Sequence, residues 1–180
     1  MLSRDTGHDR PYGDNPFLGY GDVDEPPFRF QGAIDGRLAP KERVIAIGGP
    51  ETEAIAFSYL DLARTGVATE TFEGEPVVAL WFPGTADPFD APVVGLGDDI
   101  GSAGVYRPFA AGRQLTFERG HDGVSIIDRE TGSTWSVTGR PIDGPLLGVR
   151  LERVLHGDHF WFSWAAFTPQ TRVWQPASGE

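Results

Sequence analysis

The chain of 180 residues contains no cysteine and a single lysine, Lys41. The absence of cysteine excludes disulfide bridges, thiolate metal sites and cysteine nucleophiles together. No stretch approaches the roughly 18 consecutive apolar residues that a membrane-spanning helix requires. The first residues, MLSRDTGHDRPYGDNP, contain no apolar segment typical of an export signal. The sequence as given therefore predicts neither a transmembrane segment nor a signal peptide, and it leaves the compartment open.

Positive charge is scarce as well. Fifteen lysine and arginine residues stand against 26 aspartates and glutamates, which gives a formal net charge of -11. The arginines are spread singly along the chain, whereas nucleic-acid binding needs a basic face or stripe. The charge pattern therefore argues against nucleic acid as a partner.

Turn-forming residues are abundant, with 24 glycines and 15 prolines. This frequency favours many short strands over long helices, and a chain of this length suits one domain with its own hydrophobic core. Residues 1–40 show neither a helical nor a strand period, so they predict an extended arm packed on a single β-rich domain at 41–180. The arm would be anchored by four aromatic residues, Phe17, Tyr20, Phe28 and Phe30.

The domain divides into short predicted elements. Strands are expected at 43–47, 53–57, 67–73, 76–82 and 149–155, and the fourth of them is apolar enough to be central. A helix at 58–66 would begin at the cap Ser58 and end at Gly66. Residues 115–137 predict a three-stranded meander with turns at 120–123 and 128–132, and residues 83–114 are predicted to be irregular.

The segment DHFWFSWAAF at 158–167 predicts a second helix, capped by Asp158 and ended by Pro169. Apolar side chains surround it, so it should be buried. The predicted fold class is therefore mainly β (α+β). It consists of a single-domain antiparallel barrel or strongly twisted sheet with two short helices, one of them rich in tryptophan near the C-terminus.

The segment DRETGSTW at 128–135 gathers acids, a base, hydroxyls and an indole. If the segment is a turn, Asp128 accepts backbone N–H groups and Gly132 takes a positive φ. Trp135 then lies on the buried face of the next strand. Interpreted as a catalytic site, Asp128 or Glu130 would have to lie beside a histidine in a pocket. We favour the turn, and we expect Trp135 in the core.

The leading functional hypothesis is a non-catalytic domain that binds a small molecule or a partner protein. The predicted contact surface combines the 128–135 turn, Arg140 and the FPGTADPFD loop at 82–90. Its candidate ligand-binding residues are Asp128, Arg129, Glu130, Ser133, Trp135, Arg140, Asp87 and Asp90. No cofactor is predicted.

Two alternatives remain open. One is an enzyme of the hydrolase or lyase type that uses carboxylates and His156 or His159, with or without a divalent metal. These two histidines are weak candidates for metal ligands, because a catalytic zinc site needs three protein ligands and the sequence fixes no third. The other alternative is a structural accessory domain.

The segment DRETGSTW, followed by Gly139, Gly144-Pro145, Gly148 and Leu151, resembles the signature of an uncharacterised prokaryotic family, the domain of unknown function numbered thirty-one seventy-nine. The similarity continues in order along most of the chain, in NPFLGYGDVDEPPF, EAIAF, PVVALWFPGTA, GSAGVY, LTFE and HFWFSWAAFTPQTRV. The resemblance implies no activity, because none is established for the family.

Many members of that family carry CPLCGTA directly after the central strand, a pattern that suggests thiol redox or soft-metal chemistry in those members. This chain has FPGTA there, with Phe82 at the place of the first cysteine. The resemblance therefore implies a thiol-free branch that does not use such chemistry. Members are frequently exported or lipid-anchored, which leans towards the cell envelope or another extracytoplasmic location.

Overall fold

The first sheet forms around an antiparallel hairpin of β1 (Arg43–Gly48) and β2 (Ala54–Ser58), as predicted. The computed structural model describes residues 7–9, 15–93 and 95–177. Every residue of β2 is buried, because the sheet is covered on both faces. Its outer strands are β13 (His156–Phe160), antiparallel to β1, and β14 (Arg172–Val173), parallel to β2.

The first helix, α1 (Tyr59–Thr65), confirms both predicted ends. The hydroxyl of Ser58 accepts hydrogen bonds from the backbone N–H groups of Leu60 and Asp61, two donors that the first turn leaves unpaired. At the other end Gly66 has a φ of 75° and donates to the carbonyl of Leu62. The helix therefore begins and stops where short-range chemistry dictates.

The second sheet has the order β12-β5-β4-β3, with β3 at Val67–Phe72, β4 at Glu75–Phe82, β5 at Ser102–Arg107 and β12 at Glu152–Arg153. Residues 77–81 of β4 are all buried. The strand lies between two neighbours, which confirms its predicted central position.

The prediction that residues 83–114 are irregular was wrong for their second half. That half contains β5 and a small hairpin of β6 (Phe109–Ala110) and β7 (Arg113–Gln114). Glycine suggested a loop in GSAGVY, but Gly104 sits in β5 for another reason. A Cβ at this position would lie 2.6 Å from the hydroxyl of Tyr106 and 2.9 Å from the carbonyl of Val137, so close packing requires glycine.

The third sheet contains the predicted meander of β8 (Phe117–Arg119), β9 (Ile126–Asp128) and β10 (Thr134–Trp135), which is confirmed. A fourth strand, β11 (Pro141–Asp143), extends it and was missed, because proline at a first position weakens the strand pattern. Trp135 is in the core as predicted, with its ring centroid 5.5 Å from that of Phe117.

The turn after β9 is built around the carboxylate of Asp128, which is 0% exposed. It accepts hydrogen bonds from the backbone N–H of Thr131 at 2.7 Å and from Nε1 of Trp135 at 2.8 Å. Gly132 closes the turn with a φ of 72°. Both features match the turn interpretation.

The prediction of a helix over 158–167 was wrong at its start. Pairing with β1 draws residues 156–160 into β13, so α2 spans only Trp161–Phe167. Asp158 pairs with Ile45 across the sheet instead of capping the helix, and no side chain caps α2. Within α2 only Trp161 and Ala165 are buried, so the expectation of a helix buried all round was also wrong.

The overall class is mainly β with two short helices, but the predicted barrel was wrong, because the three four-stranded sheets of the described residues are open. The division into arm and domain stays a prediction, and residues 1–6 and 10–14 of the arm lie outside the described part. Tyr20 and Phe30 contact the rings of Phe160 and Phe162 respectively, whereas Phe17 and Phe28 are exposed. Neither described helix has the length or the apolar run needed to cross a membrane.

Replacing Asp128 with alanine should lower the free energy of unfolding by about 3 kcal/mol, because the buried indole N–H of Trp135 would lose its charged acceptor. Arg129→Ala is the control, since it removes an exposed ion pair with Glu118 on the same turn and should cost less than about 1 kcal/mol. Denaturant unfolding measures both values. Equal costs would contradict the assigned role of Asp128.

Gly66→Ala should destabilise the fold by about 2–3 kcal/mol. Alanine is strained at the positive φ of this position, and its Cβ would also crowd a neighbouring side chain. The new atom would lie 2.7 Å from Nε of Arg119. Gly74→Ala is the matched control: its φ is 79° but its Cβ would meet open space, so it should cost about 1 kcal/mol. Chemical unfolding compares the two, and a smaller cost at Gly66 would refute the packing argument.

Candidate functional site

Two neighbouring cavities lie where the first and second sheets meet the 83–101 loop. The histidine cavity, about 400 Å³, is lined mainly by Arg43, Tyr59, Thr85, Ser102, Asp158, His159 and Phe160. The lysine cavity, about 290 Å³, is lined by Lys41, Glu42, Trp81, Asp87 and Asp99, among others. Arg43, Tyr59 and Ile100 line both cavities, so they form the wall between them.

The most defined polar contact of the histidine cavity joins Tyr59 to Asp158. The Tyr59 hydroxyl donates to Oδ1 of Asp158 over 2.7 Å. Burial and this carboxylate raise the pKa of Tyr59 above its ordinary value, so the phenol stays protonated and remains a donor. Tyr59 begins α1 and Asp158 lies in β13, so the capped helix and the β1–β13 pairing together fix this contact.

Arg43 supplies the positive charge at the junction. Its Nη2 lies 2.8 Å from Oδ1 of Asp87, and its guanidinium carbon lies 5.3 Å and 5.2 Å from the ring centroids of Phe89 and Phe160. Asp87 also accepts the backbone N–H of Phe89. The ion pair and the two ring faces together hold the guanidinium in one orientation.

Asp99 organises the loop that follows β4. Its carboxylate accepts backbone N–H groups of Gly101, Gly84 and Thr85, and these bonds lower the pKa of Asp99. The hydroxyls of Thr85 and Ser102 are hydrogen-bonded to each other. The loop that borders both cavities is therefore held by its own polar network.

The lysine cavity is bordered by two charged residues at the start of β1. Lys41 is 4% exposed and Glu42 is 7% exposed, and the Glu42 carboxylate accepts the Ser58 hydroxyl. Trp81 contributes an indole whose buried Nε1 has no hydrogen-bond partner among the described residues. Lys41 also borders an open depression beneath the arm.

The arm closes this region by binding to the loop. The side-chain amide of Asn15 donates to the carbonyls of Pro88 and Ala91 at 2.8 and 2.9 Å, and the backbone N–H of Gly19 donates to Phe89. Gly21 and Val23 then line the lysine cavity itself. Arm and loop therefore form one wall.

The sequence-predicted site residues separate into two groups. Asp87 lines the lysine cavity, and Asp90 accepts the backbone N–H of Asp98 within the same loop. The other six belong to the meander region and are not among the described residues that line either cavity: Asp128, Arg129, Glu130, Ser133, Trp135 and Arg140.

Five of these six side chains, all but Arg140, have local partners among the described residues. Arg129 pairs with Glu118, Glu130 accepts the backbone N–H of Thr116, and the buried Ser133 hydroxyl accepts that of Leu146. The partners of Asp128 and Glu130 thus lie in the meander region, whereas both candidate histidines lie in β13 of another sheet.

Sequence reasoning did not identify Lys41, Arg43, Tyr59 or Ser102 as site residues. One signal was present: the run KER at 41–43 places three charges directly before a strand that is otherwise apolar. Charges at such a position need partners, and their partners come from distant segments that a single sequence does not reveal.

His156 and His159 are three residues apart in a strand, so they face opposite sides of the sheet. Nδ1 of His156 lies 2.7 Å from the carbonyl of Val154, whereas the ring of His159 packs on Trp164 with centroids 4.9 Å apart. Burial lowers the pKa of both histidines. Among the described residues, no three His, Asp or Glu side chains are grouped to hold a metal ion.

The depressed histidine pKa values predict a pH dependence of stability. Below the ordinary histidine pKa of 6.5 the unfolded chain binds a proton that the folded chain still excludes, so the free energy of unfolding should fall as the pH drops from 7.5 to about 5.5. The double replacement His156→Gln and His159→Gln should flatten this slope. Guanidinium unfolding at both pH values measures it, and an unchanged slope would contradict the assignment.

No curated protein and no solved structure matches the chain. A family model described as "Protein of unknown function (DUF3179)" matches residues 1–171. The match covers nearly the whole sequence and includes both cavities, the arm and the meander. The chain therefore belongs to the DUF3179 family of proteins of unknown function.

Proposed function

We propose that this chain is a non-catalytic domain that binds a small polar molecule at the junction of the histidine and lysine cavities. The observation that carries the proposal is the convergence of polar groups from separate segments on one concave site. Tyr59 from α1, Ser102 from β5 and Asp158 from β13 all border the histidine cavity. Ligand sites in proteins combine a concave shape with a few such polar groups.

The chemistry of the lining supports a ligand that carries hydrogen-bonding groups beside an apolar or aromatic part. Asp158 offers carboxylate oxygens, Ser102 offers a hydroxyl, and Phe160 offers a ring face. The Arg43 charge is already matched by Asp87. Asp158 has no cation within ion-pair distance among the described residues, which favours a neutral or cationic group at this point.

The proposed site includes one part of the contact surface predicted from the sequence, the 82–90 loop, and leaves out the 128–135 turn and Arg140. The 82–90 loop contributes Thr85, Ala86 and Pro88 to the histidine cavity. The 128–135 turn has its hydrogen-bonding groups engaged within its own strands. A binding role for Arg140 and the turn remains a separate prediction that the variants below test.

A second candidate is an enzyme of the hydrolase or lyase type. The specific observation in its favour is that Asp158, His159 and Tyr59 border the same cavity. General acid–base chemistry uses such groups when their pKa values are set apart. A lowered histidine pKa and a raised tyrosine pKa fit a neutral imidazole base beside a protonated phenol.

A thermal-shift screen of neutral, cationic, anionic and zwitterionic metabolites tests binding. A ligand present at about a hundred times its Kd should stabilise the protein by about 2.7 kcal/mol. Tyr59→Phe should weaken its binding about tenfold, because the hydroxyl that orients Asp158 is lost. Tyr106→Phe is the matched control, since it removes a hydroxyl bonded to Val137 outside both cavities and should leave the Kd unchanged.

Titration calorimetry measures the Kd of each variant. A ligand whose affinity falls with Arg140→Ala but not with Tyr59→Phe would place binding at the turn and contradict the cavity proposal. A screen without any stabilising compound would favour the structural accessory role. Turnover of a bound compound, abolished by Asp158→Asn or His159→Gln, would establish the enzyme instead.

A further inference from the structure

The charges that line the lysine cavity do not all have partners. Five charged side chains border it: Lys41, Glu42, Arg43, Asp87 and Asp99. Arg43 and Asp87 form an ion pair, and Asp99 accepts three backbone N–H groups. Two charged side chains remain, the cation Lys41 and the anion Glu42, and neither forms an ion pair among the described residues.

Lys41 is the sole lysine of the chain and is nearly inaccessible, with 4% of its surface exposed. Among the described residues its ammonium makes no hydrogen bond or ion pair, and its one defined contact is with the ring of Tyr20, 5.2 Å away. The side chain is enclosed, so its ammonium is left with little water and no anion, and it opens only onto the cavity and the depression that it borders. This position therefore favours a negatively charged group.

Glu42 presents the opposite case. It is 7% exposed, and its carboxylate accepts the Ser58 hydroxyl but has no cation within ion-pair distance among the described residues. Lys41 precedes it in sequence, yet the two do not pair. Both side chains border the lysine cavity, so a partner for each can come from a molecule bound there.

Trp81 also has an unpaired donor. Its indole is 9% exposed and borders the same cavity, and within the described part of the chain its Nε1 has no acceptor. Buried indole N–H groups normally donate to a partner. This Nε1 atom is itself inaccessible and packs against Gly101, so the groups that remain for a ligand in the lysine cavity are the ammonium of Lys41 and the carboxylate of Glu42.

We propose that the lysine cavity binds a zwitterionic α-amino acid, with its carboxylate at Lys41 and its ammonium at Glu42. This inference rests on the proposed binding function and names the ligand class. A zwitterion supplies one charge of each sign without changing the net charge of the site. The cavity of about 290 Å³ lies at the small end of ligand pockets, near 300–1,000 Å³, and Ala63 and Ile100 border it. A small apolar side chain matches these walls.

Titration calorimetry of the intact chain with free L-alanine, L-valine and L-leucine tests this assignment. Each amino acid is compared with its amide, which lacks the carboxylate, and with its N-acetyl derivative, which lacks the ammonium. At least one free amino acid should bind on the order of a hundredfold more tightly than either derivative, because each derivative leaves one buried charge unpaired.

Two variants assign the contacts. Lys41→Met should abolish the difference between the amino acid and its amide, and Glu42→Gln should reduce the difference between the amino acid and its N-acetyl form. Arg113→Met and Glu51→Gln are the controls, since each removes an exposed charge of the same sign outside both cavities and should leave the ratios unchanged. If Lys41→Met fails to fold, Lys41→Gln, which removes the charge but keeps a polar side chain, tests the same carboxylate contact.

The outcomes separate this inference from the broader proposal. If another compound class binds with an affinity sensitive to Tyr59→Phe while no free amino acid binds, the proposed function stands and the ligand class is wrong. If amides and N-acetyl derivatives bind as tightly as the free amino acids, the charge pairing is wrong. If no compound of any class binds, both proposals fail.

Discussion

The pairing of β1 with β13 is the contact on which the candidate site depends. Its register sets Arg43 opposite Phe160 and Ile45 opposite Asp158, so the cation, the ring and the carboxylate of the site arrive from strands far apart in sequence. The same pairing turns residues that favour a helix into a strand. Backbone hydrogen bonds across the sheet thus override local propensity and position the functional groups in one step.

Short-range signals were enough to predict much of the fold. The hairpin of β1 and β2, the capped helix α1 and the central strand β4 each depend on turn residues, caps or apolar runs that lie within a few positions of one another. The meander followed for the same reason, since glycine and aspartate mark its turns. The residues that specify each of these elements lie within it or directly beside it.

The missed features depend on distant partners. β5 forms a strand by pairing with β4 and β12, and residues 156–160 form one by pairing with β1. Of the residues that line the two cavities, only His159, Asp87 and other members of the 82–90 loop were predicted from the sequence. The other lining residues are brought together by the β1–β13 register and by the arm. Neither of these can be inferred from the hydrophobic periodicity of the sequence.

Hydrogen bonding distinguishes the roles of two polar clusters, the turn around Asp128 and the charges near the start of β1. Asp128 lies in a dense polar cluster, yet its oxygens are engaged by Thr131 and Trp135, so the cluster stabilises a turn. The sparser charges at the start of β1 retain capacity for partners. A segment rich in polar residues is therefore a poorer guide to a binding site than polar groups that lack hydrogen-bond or ion-pair partners in the folded structure.

The burial of the single lysine has a consequence for labelling chemistry. Acylating reagents that attack ε-amino groups have one side chain to modify in this chain, and that amine lies beneath the arm segment tied to the loop by Asn15. The rate of such acylation therefore reports how accessible this amine is through the depression between the arm and the domain.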